Sequence, residues 1–168
     1  WRASEISRLM LTYLGKDTVK PQIVDLSEVC CQYLSLLQHT TPSNVAIQTN
    51  FRSPGLLVRA DVKQMQQVLA NLITSGQDRR HVLGADLPQI RINPPDAIPA
   101  AEKFACLEVA DSGCGMTEEA LDQIFDPFFT TKFTGRGLGI PVILGIIKAW
   151  GGCIAVASSL GQGSVFRV

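Results

Sequence analysis

Between Asp111 and Ile140 the chain reads DSGCGMTEEALDQIFDPFFTTKFTGRGLGI, and this stretch carries the residue types of an anion-binding site. An apolar run from Phe104 to Ala110 ends on the carboxylate of Asp111, and Gly113 and Gly115 follow it. An aromatic segment, Phe125-Asp126-Pro127-Phe128-Phe129, leads through Thr130 and Thr131 to Lys132. A second glycine cluster, Gly135-Arg136-Gly137-Leu138-Gly139, then opens a long apolar segment. Glycine lets the backbone approach a ligand closely. The unpaired N–H groups at a helix start favour anions, above all phosphate. A carboxylate, a loop, a lysine and a phosphate-ready helix start in this order describe a nucleotide site. A lone glycine cluster would describe only a turn.

A second polar constellation lies upstream. Asp61 has the place of a helix N-cap, with Gln64 in a capping-box relation to it. The helix predicted from 62 to about 80 has an apolar face of Met65, Val68, Leu69, Leu72 and Ile73. Gln64, Gln67, Asn71, Ser75 and Asp78 fall within about an 80° arc of the opposite side. Such a stripe is either a solvated face or one turned toward a ligand.

The elements that must position these groups follow from pattern. Ile6, Leu9, Met10, Tyr13 and Leu14 predict a helix over 2–15, and 16–21 reads as a linker. Asp25 or Ser27 caps a second helix running to about His39, with Val29, Cys30, Tyr33, Leu34 and Leu37 on its apolar side. Strands are expected at Val45–Asn50, Leu56–Ala60, Gln89–Asn93, Phe104–Ala110, Cys153–Ser158 and Ser164–Val168. Thr117 caps a short helix, and 124–134 forms a loop whose aromatic side chains pack it on the domain. Leu138–Trp150 is apolar nearly all round and reads as a buried helix. Pro141 falls in its first turn and Gly151-Gly152 ends it.

Composition narrows the class. At 46% hydrophobic and 18% charged residues, the 168-residue chain has the makings of a packed core rather than a disordered segment. Fifteen basic residues balance fifteen acidic ones, which gives no electrostatic case for nucleic acid or an anionic membrane as partner. Five cysteines, none spaced C-x-x-C, read as reduced thiols in a cytoplasmic compartment. No apolar run is long enough to span a membrane and no signal peptide opens the chain, which reads as a fragment of a longer protein.

In their order these motifs resemble the ATP-binding domain of sensor histidine kinases, within the gyrase, heat-shock ATPase, histidine kinase and mismatch-repair ATPase superfamily. Asp111 to Met116 resembles the first glycine box, Ile124 to Phe129 the phenylalanine box and Gly135 to Gly139 the second glycine box. Gly161 to Phe166 is similar to the closing glycine turn and last strand, and Gln67 to Gly76 resembles the asparagine box. The resemblance implies an α+β, two-layer sandwich. A mixed, mostly antiparallel sheet would be covered on one face by helices, with ATP beneath a lid loop. Residues 1–20 would be the end of a dimerisation and phosphoacceptor helix plus a linker, and 21–168 the ATP-binding catalytic domain.

By the same resemblance the activity is transfer of the ATP γ-phosphoryl group to a histidine on the dimerisation domain. Neither His39 nor His81 has an acceptor-like context, so that histidine is expected outside this chain. Asp111 would accept a hydrogen bond from the adenine amine and so exclude guanine. Gly113, Gly115, Met116, Phe128 and Thr131 would line the nucleotide, and Lys132 would neutralise phosphate. Gly135, Arg136, Gly137, Leu138 and Gly139 would cradle the phosphates, with Asn71 and Asp78 beside them. Asn71 and Lys132 would carry the catalytic contacts. Asn71 and Ser75 would face Mg²⁺, but Ser75 stands where the family pattern has a second asparagine, and its hydroxyl is the shorter ligand. The expected partners are the chain's own dimerisation domain in a homodimeric parent and a response-regulator receiver domain. A degenerate nucleotide-binding signalling module and another ATPase of the superfamily are the alternative readings.

Overall fold

The computed structural model describes residues 2–14, 20–38, 47–51, 56–75, 90–93, 105–132 and 136–168. In chain order the elements are α1 (Arg2–Tyr13), β1 (Gln22–Asp25), α2 (Leu26–Gln38), β2 (Leu57–Ala60), α3 (Val62–Ser75), β3 (Ile90–Asn93) and β4 (Glu108–Asp111). Then come α4 (Glu118–Gln123), α5 (Gly139–Ala149), β5 (Ile154–Ser159) and β6 (Gly163–Arg167). Strands β1 and β2 form a two-stranded ribbon, and the remaining strands form a four-stranded sheet in the order β3-β5-β6-β4. Every described strand pair is antiparallel, so the two-layer α+β expectation holds without a parallel component among these residues.

The core sits between this sheet and the helices. Val68 and Leu72 of α3, Leu121 of α4 and the buried length of α5 meet Ile154 and Val156 of β5 and Phe166 of β6. α5 is buried from Ile140 through Ile147, as its all-round apolar sequence requires. It ends as a Schellman motif. The Gly152 N–H reaches the Ile147 carbonyl at 2.9 Å and the Gly151 N–H reaches Lys148 at 3.0 Å. Register places Val109, Phe166 and Val156 in one cross-strand row, and Asp111, Ser164 and Ser158 in the next row but one. The sheet face turned to the helices therefore passes from apolar to polar toward the end where Asp111 stands.

Helix caps follow the expected residues. Asp25 accepts the Glu28 N–H at 3.0 Å. One carboxylate oxygen of Asp61 accepts the N–H groups of Lys63 at 2.9 Å and Gln64 at 3.2 Å, and the other accepts that of Lys20 at 2.9 Å. The Gln64 side chain makes a different bond from the one a capping box supplies. It is buried, and its Oε1 accepts the indole N–H of Trp150 at 3.1 Å, tying the start of α3 to the end of α5. Gln64 thus leaves the predicted polar stripe for the core.

Three further departures have physical reasons. β1 pairs with β2 although its four residues, Gln22–Asp25, carry no alternation that would announce a strand. Residues 47–50, expected as part of a strand, join no ladder, because an alternating segment becomes a strand only where backbone partners meet it. α1 lies on α5, where a Cβ on Gly145 would stand 2.5 Å from the Tyr13 carbonyl oxygen and 2.7 Å from that of Thr12. That close approach buries Thr12 and brings Leu9 against the core. The segments 39–46, 76–89 and 94–104, and with them His39, His81 and Asp78, lie outside the described residues.

Candidate functional site

β4 ends on Asp111, and the loop after it turns back on the same carboxylate: the Gly113 N–H donates to Asp111 Oδ1 at 2.8 Å. Gly115 has φ +66°, and a Cβ there would lie 1.9 Å from the carbonyl oxygen of Ser159. Only glycine combines that conformation with that contact. The close approach Gly115 provides is therefore to the chain's own β5–β6 turn, which it locks against the first glycine loop. Met116, next along, donates its N–H to Ser158 Oγ at 3.0 Å. Thr117 then caps α4 by accepting the Ala120 N–H at 3.3 Å, as expected.

The aromatic loop is clasped to the second glycine stretch. The Phe128 N–H donates to the Gly137 carbonyl at 2.8 Å. Gly137 has φ +64°, and a Cβ on it would stand 2.3 Å from the Phe128 carbonyl carbon. Phe128 itself has φ +72°, a left-handed conformation that a bulky side chain rarely adopts. Phe125 packs against the core and Phe129 is half-buried, but Phe128 is 58% exposed, so only part of the aromatic segment holds the loop down.

Lys132 and Asn71 bring the three predicted constellations together. Asn71 Nδ2 donates to the Gly139 carbonyl at 3.2 Å, joining the middle of α3 to the first residue of α5. Lys132 Nζ donates to the Thr74 carbonyl at 2.9 Å, laying the loop's cation over the last turn of α3. The N-cap residue of α5, Leu138, supplies no side-chain cap bond. The start of α5, an ammonium group and a carboxamide thus border one region, which is the chemistry a phosphate chain requires. Thr131 and Arg136 are exposed beside it, Met116 is half-buried, and the Leu138 side chain is buried. Gly135 and the side chain of Ser75 lie outside the described residues.

Sequence reasoning passed over Ser158 and Ser164, both buried on the inner face of the central hairpin. A signal was present: Ile154, Val156 and Ser158 alternate on one face, and a hydroxyl in a row of buried apolar positions must have a local partner. A separate cavity of about 510 Å³ between α2, α3 and β4 is lined by Leu34, Phe51, Leu69 and Leu107, and none of Asn71, Asp111 or Lys132 borders it. Among the described residues no three acidic, histidine or cysteine side chains cluster as a metal centre would require.

Known proteins match both the sequence and the fold. The family model described as "Histidine kinase-, DNA gyrase B-, and HSP90-like ATPase" matches residues 60–168. The sensor kinase CckA of Brucella abortus is 30% identical over 180 residues, covering 99% of this chain and 19% of that protein. Sporulation kinase C of Bacillus subtilis is 34% identical over 156 residues, covering 89% of this chain and 35% of its own length. The chain thus spans between about a fifth and about a third of these relatives. Among solved structures, a nucleotide-free catalytic domain of the histidine kinase ThkA superposes with a TM-score of 0.66 at 24% identity, covering 89% of this chain and 95% of that one.

Proposed function

Because this chain belongs to the histidine kinase-, DNA gyrase B- and HSP90-like ATPase family, we propose that it is the ATP-binding catalytic part of a sensor histidine kinase, holding ATP so that its γ-phosphoryl group passes to a histidine on a dimerisation domain. The observation that carries this reading is the meeting of three separated motifs. Asn71 of α3 bonds Gly139 at the start of α5, and Lys132 of the intervening loop bonds the end of α3. Residues 1–20 are read as the end of the dimerisation helix with its linker. The whole protein, soluble or membrane-anchored, acts as a homodimer with this part in the cytoplasm and hands its phosphoryl group to a response-regulator receiver domain.

ATP supplies the activated phosphoryl group; the residues here bind and orient it. The carboxylate of Asp111 accepts from the adenine amine, where guanine would present a second acceptor. The start of α5 and Lys132 lie where negative phosphate oxygens are best stabilised, and positioning with charge neutralisation carries most of this chemistry. The residues present fit ATP. They fit Mg²⁺ less well: Asn71 spends its amide N–H on Gly139, which leaves its carbonyl oxygen for an ion, and no acidic cluster assists among the described residues. An ion there would depend on phosphate oxygens and water for its remaining ligands.

Titration of ATP and GTP into the chain and into Asp111→Ala tests the reading. A lost buried charged hydrogen bond of about 1–3 kcal/mol weakens ATP binding by about 5- to 150-fold. Wild-type chain that binds GTP as tightly as ATP would refute the role of Asp111.

A further inference from the structure

Ser158 stands at the centre of a buried hydroxyl network that the nucleotide reading leaves unused. Its hydroxyl donates to the Gly163 carbonyl at 2.8 Å, and Ser164 Oγ lies 3.0 Å away. With its own proton committed to Gly163, Ser158 Oγ accepts from the Ser164 hydroxyl and from the Met116 N–H at 3.0 Å. One buried side chain, 2% exposed, thereby binds the first glycine loop, the β5–β6 turn and the last strand, and every polar group in the set is satisfied.

The register gives this network a direction. Asp111, Ser164 and Ser158 occupy one row across β4, β6 and β5. Asp111 and Met116 bracket the glycine loop, and each is anchored by its own bond: the carboxylate by Gly113 N–H, the Met116 amide by Ser158. We propose that Ser158 is a positioning residue for base selection, holding the Met116 end of the loop so that the Asp111 carboxylate meets the purine edge in one fixed geometry. This rests on the nucleotide reading of the site. Discrimination between an adenine amine and a guanine carbonyl depends on that geometry, whereas binding of the phosphates at α5 and Lys132 does not.

The test measures ATP and GTP affinity for the wild-type chain, Ser158→Ala and Ser158→Thr, with melting temperature and the exchange rate of the Met116 amide hydrogen recorded alongside. Ser158→Ala should lose about tenfold in ATP affinity, on the scale of one orphaned buried group, while GTP binding moves little, so that the preference for ATP collapses. Its Met116 amide should exchange faster, and Ser158→Thr, which keeps the hydroxyl, should restore both. A role confined to stability would lower the melting temperature and shift both nucleotides together. If Ser158→Ala does not fold, Ser158→Cys keeps the volume with a weaker acceptor and is read the same way. An unchanged ATP-to-GTP ratio in the variant that lacks the hydroxyl, or a parallel loss of both nucleotides, overturns the proposal and leaves the site assignment standing. A wild-type chain that binds no ATP overturns the nucleotide reading itself, and the role of Ser158 with it.

Discussion

Gly145 offers a change whose sign should depend on a distant helix. A Cβ at this position would lie 2.5 Å from the carbonyl oxygen and 2.6 Å from the Cα of Tyr13, and 2.7 Å from the Thr12 carbonyl oxygen. All three are backbone atoms, so Gly145→Ala cannot be relieved by a rotamer change and must displace α1. Restoring ordinary contact needs a shift of roughly 0.5–1 Å, and overpacking of this kind costs about 1–3 kcal/mol. Alanine returns about 1 kcal/mol through helix propensity in α5. The net for the whole chain is a loss of up to about 2 kcal/mol, and each kcal/mol lowers Tm by about 2–4 °C at this size. In a chain without residues 1–14 the clash is gone, and the same substitution should stabilise by about 0.5–1 kcal/mol. Thermal and urea denaturation of the four proteins measures the difference as a double-mutant cycle. A loss of the same size in both backgrounds would show that α1 does not seat on Gly145, and the reasoning would be wrong.

Other outcomes follow from features already described. Asp61 is held below the usual carboxylate range first by the Lys20 N–H and then by those of Gln64 and Lys63, against the opposing effect of burial. Its folded pKa lies below its unfolded value, so its contribution is present above about pH 4 and fades as pH falls through the folded pKa. Asp61→Ala should therefore cost about 1 kcal/mol at neutral pH, as a lost cap does, and nearly nothing at strongly acidic pH; a cost that persists in acid refutes this in denaturation curves. Burial, with the neighbouring Cys31, pushes the Cys30 thiol up to about 12. Iodoacetamide near pH 8 should leave Cys30 unmodified while exposed Cys31 and Cys114 react, and ATP should protect Cys114 but not Cys31, as read by peptide mass spectrometry. Ser75→Asn should strengthen the Mg²⁺ dependence of ATP binding by supplying a longer amide ligand; equal dependence in both proteins removes serine as a handicap.

What the sequence disclosed was local or periodic. Thr117 announced its helix because a hydroxyl before two acids and an apolar residue has one efficient use. The all-apolar run after Leu138 and the glycine pair after Trp150 bounded α5 within a residue or so. The candidate site residues were legible as types in order; the long-range bonds of Asn71 to Gly139 and of Lys132 to Thr74 were not. What stayed hidden depends on partners far along the chain. Nothing near Gln64 shows that its carbonyl will meet Trp150, and nothing near Gly137 shows that its missing side chain makes room for Phe128. β1 escaped notice for the same reason, since four residues become a strand only when β2 lies beside them.

The strand order has a consequence for the growing chain. The two central strands of the four-stranded sheet are the last two in sequence, and each earlier strand of that sheet pairs only with one of them. Glu108 and Arg167, joined across β4 and β6, are 59 residues apart. During synthesis, at about 5–20 residues per second, β3 and β4 emerge with no sheet to join until the final hairpin follows them. Until then the apolar surface of α5 has no sheet beneath it and is exposed to other chains. A ribosome stalled before Ile154 would hold helices and a ribbon but no domain. The hairpin closes locally within about microseconds, and the long-range docking of β3 and β4 onto its two edges is the slower step that ends the exposure.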